Sequence, residues 1–291
     1  MKPASFRYLA PRSREEAVLA LRRFGSDGKL LAGGQSLVPL MAMRLARPAV
    51  IIDLNRIPDL AFVKPARGAL TIGAMTRQRV AEQDALVAAG APLLREALRW
   101  VGHPQIRNRG TIGGSMAHAD PSAELPAVAS ILGARFVLAS SRGERVVDTQ
   151  AFFTGYLTTA LEPDELLTEI RLPAQPPDAG WAFTEIARRH GDFALVGVAV
   201  LLRCDGDRRC TEARLAFTGV GAGPVRVPEA EAALIRERIT DAAAAEAGRI
   251  AEAALDPEGD IHASSDYRKH VAGVLAARAI IQAAGRVRVQ A

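Results

Sequence analysis

The chain has 291 residues, 49% hydrophobic and 24% charged, enough for one large domain or two ordinary ones with cores of their own. Its net charge of +5 comes largely from arginines scattered over helical stretches, such as Arg22, Arg23, Arg95 and Arg99, and with no basic stripe or aromatic platform this argues against nucleic-acid binding. No apolar run approaches the ~20 residues that cross a bilayer, the opening MKPASFRYLAPRSREEA has no signal-peptide core, and two cysteines are too few to ligate an iron–sulfur cluster, so a soluble cytoplasmic protein is expected.

In chain order, Ser13 to Glu16 reads as a capping box opening a helix to about Phe24, with Ala17, Leu21 and Phe24 on one face. A strand at 30–32 feeds a first glycine turn, LLAGGQSL at 30–37. The apolar run 49–54 is a buried strand, and alternating Leu70, Ile72 and Ala74 predict another, followed by Thr76 as a helix N-cap. A second glycine stretch, RNRGTIGGSMAHADPSAELP, spans 107–126. Asp120 as N-cap and Pro121 at the first helical position predict a helix over 121–132. A hairpin at 135–139 and 145–148 and a returning strand at 166–172 follow. The segment 173–179, with three prolines, is a linker and sets a domain boundary near 177. Beyond it, three long strands (181–187, 194–204, 213–220) precede three helices (228–238, 241–254, 264–284), an α+β order. Cys204 and Cys210 flank a polar turn between two of these strands and are expected as free thiols.

Each glycine turn sets adjacent glycines and a small hydroxyl residue beside an apolar run, leaving backbone N–H groups open to an anion without Cβ interference. In the second, a helix start follows, which also favours negative charge. Two such turns can clamp one diphosphate. Neither fits the dinucleotide fingerprint G-x-G-x-x-G or the phosphate loop, and neither completes the G-x-S-x-G nucleophile elbow. His103, His118 and Asp120 lack the helical pairing of a metal site.

These turns, together with VIIDLNRI (50–57), LTIGAMT (70–76), FFTGYLTTALEPDELLTEIRLP (152–173) and ARRHGDFALVGVAV (187–200), give the chain a resemblance that runs nearly end to end. In order and spacing it resembles the FAD-binding medium subunits of molybdenum hydroxylases, a group that includes carbon monoxide dehydrogenase medium chains and the flavin domain of xanthine dehydrogenase. The resemblance implies an α+β fold: a two-subdomain FAD-binding domain of the vanillyl-alcohol-oxidase/PCMH-like type over 1–177, then an α+β C-terminal domain over 178–291 with a three-stranded antiparallel sheet and helices. It implies a heterohexameric enzyme, a dimer of heterotrimers, in which a large subunit carries molybdopterin and a small one two [2Fe–2S] clusters. This subunit would pass electrons through FAD to an external acceptor and contribute no catalytic acid, base or nucleophile. A self-sufficient FAD oxidase or dehydrogenase of the same wider fold is the alternative; no His or Cys suited to covalent flavin attachment lies near either turn.

The resemblance also implies a site. Ala32, Gly33, Gly34, Gln35, Ser36 and Leu37 would grip the FAD diphosphate, with Lys29 adding charge nearby. Thr111, Gly113, Gly114 and Ser115 would form the opposing turn; Ser115 is often asparagine in relatives. Asp120 and Glu124 would support or meet the cofactor. Val101 and Gly102 would approach the edge of the flavin ring, Leu167 its apolar face, and Phe193, at a position that is tyrosine in carbon monoxide dehydrogenase medium chains, would lie beside it.

Overall fold

The computed structural model describes residues 2–288. Its first sheet is parallel, with Val50–Asp53 between Arg7–Leu9 and Gly28–Leu31. The helix Arg14–Phe24 packs on it through Ala17, Val18 and Leu21; Ser13 caps this helix at Glu16 N–H (3.2 Å), while Glu16 reaches back to Arg12 N–H (2.7 Å). A second, antiparallel sheet orders its strands Val63–Ala66, Ala69–Gly73, Leu166–Pro173, Arg135–Ser140 and Gly143–Asp148. Short helices between residues 78 and 132 bury their apolar faces on it.

The three long strands expected after the linker form as Gly180–Ala187, Ala194–Cys204 and Cys210–Thr218, and a two-residue strand, Val225–Arg226, joins their edge as a fourth. Side chains alternate across a strand, and here both faces are used. Trp181, Phe183, Ala199, Leu201 and Ala216 pack into the core of the first part of the chain. Ala182, Val198, Val200, Leu202, Leu215 and Phe217 pack under the helices Pro228–Leu234, Asp241–Ala254 and Ser265–Ala284. Cys204 and Cys210 are free, paired in register across the hairpin. Among the described residues no helix is long and apolar enough to cross a membrane.

Two predicted helix starts move, each because a tertiary contact outbids a local signal. Thr76 does not cap a helix; its hydroxyl donates to Phe62 C=O (2.8 Å) and accepts from Phe62 N–H (3.0 Å), and the helix begins at Gln78. Asp120 does not cap the helix after it; its Oδ1 accepts from Ser122 N–H (2.9 Å), and the helix runs Glu124–Leu132. A start at Pro121 would need the Pro121 carbonyl to accept from residue 125, and that carbonyl already accepts from Thr218 Oγ (2.6 Å) and Gly219 N–H (2.8 Å) of the second domain. The stretch TIGGS is not an open turn but the first turn of a helix, Ile112–His118, with Thr111 as its N-cap. Likewise the helix expected over 228–238 stops at Leu234, because Arg236 N–H and Glu237 C=O bond to Cys210 at the end of a strand.

Thr218 is 1% exposed, and its hydroxyl also donates to Ala123 C=O (2.9 Å), so one side chain holds two carbonyls of the first domain. A Thr218→Val variant keeps the shape and removes both bonds. We expect it to lower the unfolding free energy by about 1–3 kcal/mol, measured by urea denaturation; an unchanged midpoint would show that the hydroxyl does not hold the seam.

Candidate functional site: a two-turn cradle with a buried carboxyl pair

The strand Gly28–Leu31 delivers the first turn and the helix Leu37–Ala42 carries the chain away. Within the turn Gly34 has φ +75, a conformation that favours glycine. Its shape is set from the inside: Gln35 Nε2 donates to Gly33 C=O (3.1 Å), Asn55 Nδ2 to Ala32 C=O (2.9 Å), and Val38 N–H to Gly34 C=O (3.1 Å). The N–H groups of Gly33, Gly34, Gln35 and Ser36 have no hydrogen-bond partner among the described residues. Ser36 caps the following helix by position but its hydroxyl makes no cap bond. Four backbone donors and a hydroxyl, gathered at one half-buried turn, are a donor set for an anion.

The structure brings the second stretch against the first. Residues 110–113 run beside 74–78, with Gln78 N–H bonded to Gly110 C=O (2.9 Å), Ile112 N–H to Thr76 C=O (2.9 Å) and Gly113 N–H to Ala74 C=O (2.8 Å). A Cβ on Gly33 would strike the Arg109 carbonyl and lie 2.8 Å from Gly110 Cα. A Cβ on Gly113 would lie 2.6 Å from Ala74 Cα, and one on Gly114 2.6 Å from Thr111 Oγ1 and 3.4 Å from Ala32 Cβ. The glycines are therefore spacers that allow two backbones to touch.

The second stretch differs from expectation in what it offers. Gly113 N–H is spent on Ala74, Gly114 N–H on Thr111 Oγ1 (3.0 Å) and Ser115 N–H on Thr111 C=O (3.2 Å). What it can present to a ligand is side-chain hydroxyl, Ser115 half-buried and Thr111 2% exposed with its Oγ1 already accepting from Gly114 N–H, while the first turn supplies the backbone donors. Lys29, exposed on its strand, is close enough to act on His118; burial, more than that charge, holds the His118 ring below the ordinary histidine range, against the pull of Asp120.

A second cluster lies where the two domains meet. Arg107 is buried, donates from Nη1 to the carbonyls of Val101 (2.9 Å) and Gly102 (3.1 Å), and pairs through Nε with Glu82 (2.9 Å), which fixes the Val101–Gly102 turn. The next residue, His103, packs against the loop after the strand Gly180–Ala187: its ring is 6.1 Å from that of His190, and a Cβ on Gly191 would lie 2.7 Å from its ring nitrogens. That loop carries Phe193, whose ring is 66% exposed. Leu167, at 4% exposure, is part of the core against which Val101 packs.

Glu124 is 7% exposed and Glu185 8%. Glu185 shares the sheet face of Trp181 and Phe183, which points into the first domain, and its row continues through Gly197 to Thr218, the residue bonded to Pro121 and Ala123. Neither carboxyl has a cation within salt-bridge distance among the described residues, and Glu185 Oε2 is buried with no hydrogen-bond partner. Burial, opposed by a hydrogen bond from Glu124's own backbone N–H, with Asp120 adding to it and Arg107 opposing, pushes the Glu124 carboxyl up to about 7. Burial and then the Glu124 charge push Glu185 up to about 9.

Sequence reasoning found the turns but not what holds them. Asn55, Arg77 and Arg109 form a chain: Arg77 donates to Asn55 Oδ1 (2.5 Å) and to the Arg109 carbonyl. Asn55 sits inside the motif VIIDLNRI, the one signal for it. Glu185 had a signal too, since it alternates in phase with the inward-facing Trp181 and Phe183.

Comparison with known proteins agrees along the whole chain. Residues 4–175 match the family described as the FAD binding domain in molybdopterin dehydrogenase, and residues 181–283 the CO dehydrogenase flavoprotein C-terminal domain. The chain is 40% identical to the 6-hydroxypseudooxynicotine dehydrogenase complex subunit alpha of Paenarthrobacter nicotinovorans and 41% identical to the caffeine dehydrogenase subunit beta of a Pseudomonas, in each case over 99% of this chain and 97% of the relative. Among solved structures, carbon monoxide dehydrogenase from Hydrogenophaga pseudoflava superposes with a TM-score of 0.96 at 41% identity, covering 99% of this chain and 100% of that one. Quinoline 2-oxidoreductase from Pseudomonas putida 86 gives 0.95 at 39%, with the same coverage.

Proposed function

The chain belongs to the FAD-binding medium-subunit family of molybdenum hydroxylases, and from that premise we propose that it is the electron-transfer flavoprotein of a multisubunit dehydrogenase, taking electrons from [2Fe–2S] clusters on a small partner and passing them to an external acceptor. The observation that carries the reading is the cradle: two backbone turns in contact, with four unspent N–H groups on one and hydroxyls on the other. That donor set fits the diphosphate of FAD. Gly33, Gly34, Gln35 and Ser36 would hold it from one side and Thr111 and Ser115 from the other, with Gly113 and Gly114 as the spacers, Ala32 and Leu37 bounding the turn, and Lys29 nearby. Val101, Gly102, Asp120, Glu124 and Phe193 would face the other end of the cofactor, and Leu167 would support it only through the core. Bound there, FAD supplies a centre that accepts electrons singly and passes them on in pairs; the protein holds it, sets the charge around it and controls access to it. We read residues 1–177 as the cofactor-binding domain and 178–291 as the domain that closes over it.

Substrate choice is assigned to a large molybdopterin partner. Relatives named for carbon monoxide, caffeine and a nicotine-derived compound are all about equally similar to this chain over nearly its full length, at 40–41% identity. A subunit whose sequence tracked the substrate would separate them. The test is to purify the tagged chain from its native host and record its absorption spectrum, metal content and copurifying chains. Flavin bands with molybdenum, iron and two partner chains are the expected result; flavin alone, with turnover of an added substrate, would overturn the proposal.

A further inference from the structure

Two buried carboxyls near each other without a counter-ion cannot both be ionised cheaply. Glu124 and Glu185 are two such carboxyls, buried in the two parts of the chain and near enough for the Glu124 charge to act on Glu185. The alternation of the strand Gly180–Ala187 points Glu185 into the first domain, and Thr218, two strands away in the same row, pins the backbone immediately before Glu124. Gly197 lies between them; a Cβ there would be 2.7 Å from Thr218 and 3.2 Å from Glu185 Cβ, so the row is closed by a residue with no side chain. The charged groups acting on Glu124 are Asp120 just ahead of it in the chain and Arg107 on the helix Pro104–Arg109; on Glu185, only Glu124 acts. Arg107 is committed to Glu82 and to the Val101 and Gly102 carbonyls.

We propose that Glu124 and Glu185 form a coupled proton-holding pair at the seam beside the FAD cradle, in which Glu185 keeps its proton and Glu124 exchanges one with solvent as the charge on the cofactor changes. Glu185 is thus a positioning residue: it supplies Glu124 with a neutral, buried neighbour that adds no counter-charge. When negative charge is added nearby, a proton moves from water to the Glu124 carboxylate; when that charge leaves, the proton returns to water. This rests on the reading of the cradle as an FAD site, but the pairing itself does not.

Infrared difference spectroscopy of the purified complex separates the two. In a pH titration of the oxidised complex, the protonated-carboxyl stretch should fall in two steps, one near neutrality and one well into the alkaline range. Glu124→Gln should remove the first step and move the second at least about one pH unit lower, since the neighbouring charge is gone; Glu185→Gln should remove the second and leave the first. Dithionite reduction near neutral pH should add protonated-carboxyl signal in the wild type and none in Glu124→Gln. An alkaline step that stays in place in Glu124→Gln would overturn the pair, and full flavin bleaching without a carboxyl signal in the wild type would overturn its link to the cofactor. Failure of the FAD reading itself would show differently, as a complex with no flavin absorbance.

Discussion

Gly33→Val should purify folded and without FAD. The added Cβ would run into the Arg109 carbonyl and stand 2.8 Å from Gly110 Cα, both backbone and both tied down, Arg109 by Arg77 and Gly110 by Gln78. Neither can retreat by a rotamer change, so the two turns must part. Overpacking of this kind costs typically about 1–3 kcal/mol, which the chain absorbs because its two larger cores lie elsewhere. The cradle has no such margin, since its donors must converge on one ligand from both turns. A loss of about 3 kcal/mol in binding corresponds to a roughly 100-fold weaker affinity, enough to strip flavin during gel filtration. Gly206→Ala, with open space around an exposed turn, is the control and should keep its flavin. The ratio of flavin to protein absorbance, read beside circular dichroism, is the measurement. A folded Gly33→Val protein with full flavin would remove the two-turn cradle from consideration.

The sequence made the glycines visible and left their purpose half hidden. Adjacent glycines announced backbone close approach, and at Gly33 and Gly113 that is what they provide. The nature of the approach was not legible: both were read as openings toward a ligand, whereas Gly33 and Gly113 face other backbone, and Gly113 and Gly114 lie in the first turn of a helix with their N–H groups spent on Ala74 C=O and Thr111 Oγ1. The same limit explains the displaced helix at Glu124. Asp120 and Pro121 form a good local start signal, but the Pro121 carbonyl belongs to Thr218 and Gly219, nearly a hundred residues on. Strands were read more faithfully than helix starts because their apolar patterns survive in the sequence, as the alternation at Leu70, Ile72 and Ala74 and the apolar run at 194–204, while a cap depends on which partner wins. Arg107 shows the remaining gap: an arginine in a basic, polar stretch reads as solvated, and only the fold reveals that it is buried and holds a turn together.

The buried pair gives the chain a stability that depends on pH in a direction opposite to most acidic groups. Glu185 titrates at about 4.5 when unfolded and about 9 when folded. The folded value is raised, so the folded state binds the proton more tightly; the contribution is complete below pH 4.5 and is lost as the pH climbs toward 9. Glu185→Gln replaces the carboxyl with a neutral group of the same shape and removes this loss. At 1.36 kcal/mol per unit, the variant should be more stable than the wild type by about 2 kcal/mol at pH 6 and on the order of 5 kcal/mol at pH 8.5. Near pH 4.5 the two should be equal, or the variant slightly weaker, because its amide inherits the unpartnered position of Glu185 Oε2. Glu124 adds a similar slope of its own up to about pH 7, but it is present in both proteins and cancels in the difference. Thermal unfolding at matched flavin content should therefore show curves that separate with rising pH, by about 10 °C at the alkaline end. Parallel curves across that range would mean that Glu185 is ionised in the folded protein, although no cation lies within salt-bridge distance of it among the described residues.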